Sequence, residues 1–143
     1  MEINQIYTEL IREHSVESDN KKTLDDKTDS KLGVNPSCGD EIVLNLKIND
    51  GIIEDGAYEG VGCAISQAST SMMIDAVKGK TIEEARDITN TFLNMIKSTE
   101  ELSDLDLEKL GDAATLQNIN KLPARVKCAV LAWRTLEQII ENK

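Results

Sequence analysis

The hydrophobic pattern of this chain changes period at Cys63, and that change limits the fold more than any other feature. Before it, Ile42, Leu44, Leu46 and Ile48 alternate with Val43, Asn45, Lys47 and Asn49, the two-residue period of a strand with one buried face. Asn49-Asp50-Gly51 is a tight hairpin signal, so Ile52 to Val61 is expected to return as a second antiparallel strand. A short strand around Leu32 to Val34 extends the sheet. After Cys63 the period is helical. Ile65, Ala68, Met72, Met73, Ala76 and Val77 line one side until Gly79 stops the run. Thr81 and Glu84 make a capping box for a helix that carries Ile82, Ala85, Ile88, Phe92, Leu93 and Ile96. Pro123 opens a last helix whose stripe is Val126, Ala129, Val130, Trp133, Leu136, Ile139 and Ile140.

The remaining segments are more polar. Ile3, Ile6, Tyr7, Leu10 and Ile11 mark an N-terminal amphipathic helix that ends near His14. Residues 15–31 read as an exposed loop, with His14 as a surface or helix-end residue at its edge. Residues 98–122 read as a loop with short helical turns. The order helix, strands, helices predicts an α+β fold: a small antiparallel three-stranded sheet with helices packed on one face. The chain of 143 residues forms one domain, 1–143, with no internal repeat. Aromatics are 3% of the sequence, so Ile, Leu, Val, Ala and Met must build the core, with Met72, Met73 and Trp133 inside it.

Charge and composition exclude several functions. The net charge of −10 disfavours nucleic acid and anionic membranes, both of which reward Lys and Arg, and suits docking onto a basic partner. No apolar stretch is long enough to span a bilayer. The N-terminus lacks the layout of a signal peptide, and three cysteines make an odd count, so a reducing, cytoplasmic setting is expected. The single histidine and the lack of a GxxxxGK phosphate loop leave the cysteines as the main source of chemistry.

Each cysteine stands at the edge of a regular element. Cys38 lies in a loop shaped by Pro36 and Gly39, Cys63 opens a helix, and Cys128 sits in the first turns of the last helix. Free N–H groups at helix starts stabilise thiolates. Asp40, two residues from Cys38 in an extended segment, points the same way. Three thiolates and one carboxylate complete a tetrahedral zinc site. There is no CxxC, and by spacing alone three buried thiols acting as small apolar side chains is an open alternative. Flanking chemistry favours the site: Gly39, Gly60 and Gly62 permit close backbone approach, and polar Asp40 and Arg125 lie near the sulfurs.

Several separated motifs occur together and in order: Cys38-Gly39-Asp40, the Asn-Asp-Gly hairpin, GxGCAISxAS at 60–69, SMM at 71–73, KGKT at 78–81 and PARVKCAxLxW at 123–133. This set resembles the IscU-like (NifU N-terminal) superfamily from about residue 32 to the end. Scaffolds of that superfamily carry a histidine just before the third cysteine, where this chain has Lys127. They also carry Leu-Pro-Pro-Val-Lys, which Leu122-Pro123-Ala124-Arg125-Val126-Lys127 does not match, and they lack the extra residues found here around 98–121. All three departures resemble the SufU subgroup of zinc-dependent sulfurtransferases. The resemblance implies zinc held by Cys38, Asp40, Cys63 and Cys128. It implies a SufS-like cysteine desulfurase as partner, with downstream iron–sulfur assembly proteins. The His-Tyr-x-x-Pro-Arg-Asn stretch of that subgroup is altered here to His14-Ser15-Val16-Glu17-Ser18-Asp19-Asn20.

On this reading Cys38 is the sulfur acceptor, because its loop lets it leave a shared ion more easily than a cysteine fixed on a helix. Arg125 is the cation that offsets the formal −2 charge of three thiolates and a carboxylate on Zn²⁺. The competing readings are a scaffold that builds a cluster on the same cysteines and a purely structural zinc domain.

Overall fold

The structure is a computed structural model that describes residues 9–16, 18–98, 101–141 and 143. Three strands, β1 (Asp29–Asn35), β2 (Asp40–Asn49) and β3 (Ile52–Val61), form an antiparallel sheet in the order β1-β2-β3. Ile42, Leu44 and Leu46 on one face of β2 are fully buried, as their alternation predicts. The β2–β3 turn places both Asp50 and Gly51 at positive φ, 51° and 74°, the conformation that matches the twist of a two-residue hairpin. A register shift at Lys47/Ile48 bends the sheet near this turn. Near the far end of β3, Gly60 has φ 122°, and a Cβ there would strike the Glu41 carbonyl oxygen, so only glycine fits.

Five α-helices accompany the sheet among the described residues: α1 (Glu9–Val16), α2 (Ala64–Val77), α3 (Ile82–Lys97), α4 (Asp104–Leu110) and α5 (Pro123–Ile140). The capping box of Thr81 and Glu84 opens α3 as predicted. Gly79, at φ 83° just past α2, ends that helix. α2 packs on β3, α1 and α5, and α5 also packs along β1. Phe92 of α3 stacks on Trp133 of α5, with ring centroids 4.1 Å apart.

The expectations for the polar segments need correction. Ile3, Ile6 and Tyr7 lie outside the described residues, and α1 runs two residues past His14 to Val16. Residues 15–31 are not simply an exposed loop. Asn20 and Leu24 are buried, Tyr58 donates its N–H to the Asn20 carbonyl, and Lys22 donates to the Tyr58 carbonyl. β1 begins at Asp29 and is longer than Leu32 to Val34. His14 is a helix-end residue, in the last turn of α1, rather than a surface one: its side chain is 11% exposed and lies 2.7 Å from Ser71 Oγ and 2.9 Å from Asp112 Oδ2. Residues 98–122, expected as a loop with short helical turns, do hold helical pieces, but longer ones than expected: α4 and a 3-10 segment over Gly111–Lys121. The cause is tertiary: Leu110, Ala113, Leu116 and Ile119 are buried in the core, so scattered apolar residues find one shared surface.

One buried polar bridge sets how α5 lies on α2. Ser69 Oγ donates to the Ala129 carbonyl at 2.6 Å and accepts the Trp133 indole N–H at 3.0 Å. Ser69→Ala leaves the buried Trp133 indole N–H unpaired, at about 1–3 kcal/mol, and removes the second hydrogen bond of the Ala129 carbonyl. We expect a lower urea midpoint with the slope unchanged; wild-type stability would show that the bridge does not set this packing.

Candidate metal centre

The ends of four elements meet at one edge of the sheet. Asp40 begins β2 on the same face as Ile42, and alternation therefore carries its carboxylate inward, where it is fully buried. Asn35, the last residue of β1, is its cross-strand partner. Between them the chain turns through Pro36, Ser37, Cys38 and Gly39. The Cys38 N–H donates to the Asn35 carbonyl at 3.3 Å, and Gly39 takes φ 72°, which closes the turn. Cys38 is half-buried, and its sulfur lies 3.9 Å from the Ala124 carbonyl oxygen at the start of α5.

Cys63 caps α2. Its backbone is extended, its sulfur accepts the Ser66 N–H at 3.5 Å, and its own N–H donates to Asp40 Oδ1 at 3.0 Å. Gly62 makes this approach possible: a Cβ there would sit 2.9 Å from Asp40 Oδ1 and 3.1 Å from Ser66 Oγ. Cys128 is fully buried, next to the Ala129 whose carbonyl the Ser69 bridge holds. Asn35 Nδ2 donates to Asp40 Oδ2 at 3.2 Å and lies 3.7 Å from Cys128 Sγ.

The structure brings three of the four predicted ligands together: one ligand atom each from Cys38, Asp40 and Cys128 lies within 4.8 Å of the others. Cys63 Sγ stands outside that triplet, turned toward the α2 N-terminus, yet is close enough to bear on Cys128. Arg125 is half-buried in the first turn of α5, three residues before Cys128 and so on the same helix side. Lys127 is exposed. His14 bonds Ser71 and Asp112 and belongs to a different cluster.

This donor set fits a borderline-soft divalent ion. Two sulfurs and a carboxylate oxygen converge from two separate segments, which is the ligand chemistry of zinc. Burial pushes the Cys128 thiol far up, and hydrogen bonds with Cys38, Asp40 and Cys63 push it the same way. A bound cation reverses that balance, because it is the thiolate that ligates. Beside the carboxylate, the buried Ser66 hydroxyl has no hydrogen-bond partner. Sequence reasoning missed Asn35, Ser66 and Ser69. The signal for Asn35 was its place across a four-residue turn from Asp40, which only a settled register makes visible.

The fold and this site define a class: α+β domains with three separated cysteines and an aspartate at one end of a three-stranded sheet. The chain belongs to the NifU-like N terminal domain family, whose pattern matches residues 6–142. It is 41% identical over 136 residues to "Zinc-dependent sulfurtransferase SufU" of Bacillus subtilis, covering 95% of this chain and 90% of that protein. It is 38% identical over 145 residues to "Iron-sulfur cluster assembly scaffold protein IscU" of Thermotoga maritima, covering 99% and 97%. The crystal structure of a putative iron–sulfur cluster assembly scaffold protein for the SUF system from Fervidobacterium islandicum superposes with a TM-score of 0.87 at 34% identity, over 97% of this chain and 99% of that one. Among the described residues no helix is long and apolar enough to cross a membrane.

The buried thiol gives the metal-free protein a definite pH response. Its folded value lies above its unfolded one, so the stability it contributes is complete below the ordinary thiol value of 9.0 and is lost as pH rises beyond it. Tyr58, pushed by burial to about 12, acts with the same sign above 10.0. We expect the melting temperature of metal-free protein to fall from about pH 8.5 to 10, and Cys128→Ala to flatten that fall. A midpoint that rises across this window contradicts the assignment.

Proposed function

We propose that this chain is a zinc-dependent sulfurtransferase that accepts sulfur from a SufS-like cysteine desulfurase for iron–sulfur cluster assembly, with Cys38 as the acceptor. The observation that carries this reading is the inequality of the thiols. Cys128 is sealed in the core and Cys63 caps a helix, whereas Cys38 is half-buried on a turn. A purely structural site has no use for one loose ligand. The Bacillus subtilis relative, a zinc-dependent sulfurtransferase by name, supports the same reading.

Cys38, Asp40 and Cys128 would hold the ion, with Cys63 as the fourth ligand from its place at the α2 cap. Bound zinc keeps the sulfurs as thiolates at neutral pH. Cys38 Sγ, released on its turn, attacks the outer sulfur of the donor's persulfide. A new S–S bond forms on Cys38, the donor's S–S bond breaks, and the donor cysteine leaves as a thiolate. No net oxidation occurs. Arg125, one turn before Cys128, supplies positive charge against the −2 of the loaded site. The net charge of −10 suits a basic docking face on the partner.

A second reading, a scaffold that assembles a cluster on the same cysteines, is supported by the Thermotoga maritima relative's name. The two differ in what they retain. A scaffold reconstituted with iron and sulfide holds a brown colour; a zinc site stays colourless.

Mass spectrometry after incubation with desulfurase and free cysteine is expected to find an added sulfur, about 32 Da, on Cys38, and Cys38→Ser to stimulate the desulfurase at most about a hundredth as well as wild type. Normal stimulation by zinc-loaded Cys38→Ser overturns the acceptor assignment. Asp40→Ala is expected to lower zinc affinity by about ten-fold or more. Unchanged zinc content and exchange rate remove Asp40 from the ligand set.

A further inference from the structure

Neither the ligand set nor the transfer step uses Asn35, yet its side chain touches two of the predicted ligands, Asp40 and Cys128. It is 6% exposed, at the last ladder position of β1. Its side-chain nitrogen lies 3.2 Å from Asp40 Oδ2 and 3.7 Å from Cys128 Sγ. An amide NH₂ carries two hydrogens, so one nitrogen serves both groups at once. The orientation follows from chemistry: a carboxylate only accepts, and turning the amide over would press its oxygen against Asp40.

We propose that Asn35 is a positioning residue of the metal site, whose amide gives one hydrogen to Asp40 and the other to Cys128 and so ties together the two most deeply buried ligands. The inference rests on the metal-site reading above and deepens it. Asp40 has both oxygens engaged from opposite sides, Oδ1 by the Cys63 N–H and Oδ2 by Asn35. Its carboxylate therefore cannot swing without breaking one bond to α2 or one to β1. Cys128 gains an N–H donor, which draws charge off a thiolate and offsets part of the excess negative charge of the loaded site. The Cys38 sulfur receives nothing from Asn35; it lies 3.9 Å from the Ala124 carbonyl oxygen and beside Cys128. Asn35 thus tethers Asp40 and Cys128 and leaves the sulfurs of Cys38 and Cys63 outside its hold.

Cobalt(II) is the probe, added to the full metal-free chain, because its thiolate charge-transfer band reports on the sulfurs directly. Wild type should bind cobalt with that band. Asn35→Leu keeps the shape of the side chain and removes both hydrogens. We expect cobalt affinity, measured by chelator competition, to fall about ten- to a hundred-fold. The band should also move to lower energy, since a thiolate without its N–H donor gives up charge more readily. Asn35→Ser, smaller and polar, is expected to show the same loss and the same shift, and it carries the test if the leucine variant does not fold. Wild-type affinity and band position in both variants overturn the proposal while the metal reading stands. A fall in affinity with no band shift also overturns it, because that is the mark of a residue that merely closes the hairpin. Absence of any cysteine-to-cobalt band in wild type overturns both readings together.

Discussion

A carboxylate removed from water at the end of a sheet must find partners or make the fold costly, and Asp40 is such a group. Its partners come from two different places in the chain. One is the N–H of Cys63, which exists as a free donor only because it precedes the first turn of α2. The other is the amide of Asn35, brought opposite by the β1–β2 register. Satisfying Asp40 therefore fixes the β1–β2 turn, the β3–α2 junction and the distance between them. Gly60 and Gly62 are the sterics of the same arrangement, since a Cβ at either would meet Glu41 or Asp40. The sulfurs of Cys38 and Cys128 are then carried to the carboxylate, with Cys63 alongside at the α2 cap.

The thiols differ in how firmly that geometry grips them. Cys128 rides on α5, and α5 is pinned to α2 through Ser69, Ala129 and Trp133 and stacked on α3 through Trp133 and Phe92. Moving its sulfur means moving a helix. Cys63 caps α2, where its sulfur accepts the Ser66 N–H. Cys38 hangs from a turn closed by one backbone hydrogen bond and a glycine in the left-handed region. Of the three, Cys38 is held by the least local structure.

The parts of this architecture that obey a local period were legible in the sequence. Ile42, Leu44 and Leu46 alternate and lie inward, the Asn-Asp-Gly turn has the expected positive φ values, and Thr81 with Glu84 caps α3. What was not legible depends on contacts distant in sequence. His14 read as a surface or helix-end residue, because nothing near it in the chain announces Ser71 or Asp112. Leu24 sits alone in a polar run, and a lone leucine has no period to betray its burial. The same reason hid Asn35. Its type and its place before Pro36 suggest a turn, and only the pairing with Asp40 turns it into a donor for two ligands. Cys63 was legible as a helix start, but its sulfur's engagement with the Ser66 N–H was not.

The altered N-terminal segment acquires a role from the same contacts. Ser18 and Asn20 both reach Ser71 of α2, Asn20 also reaches Asp75, and His14 joins Ser71 to Asp112 of the 3-10 segment. Ser71 lies two residues after Ser69, so the N-terminal segment and α5 grip α2 from different sides at nearly the same level. α2 is the spine on which every other part of the site is measured: its N-cap is Cys63, its preceding residue is the Gly62 that admits Asp40, and its middle is clamped twice. Residues far from the sulfurs thereby hold the frame still. In the transfer reading proposed above, the departure of Cys38 depends on that still frame.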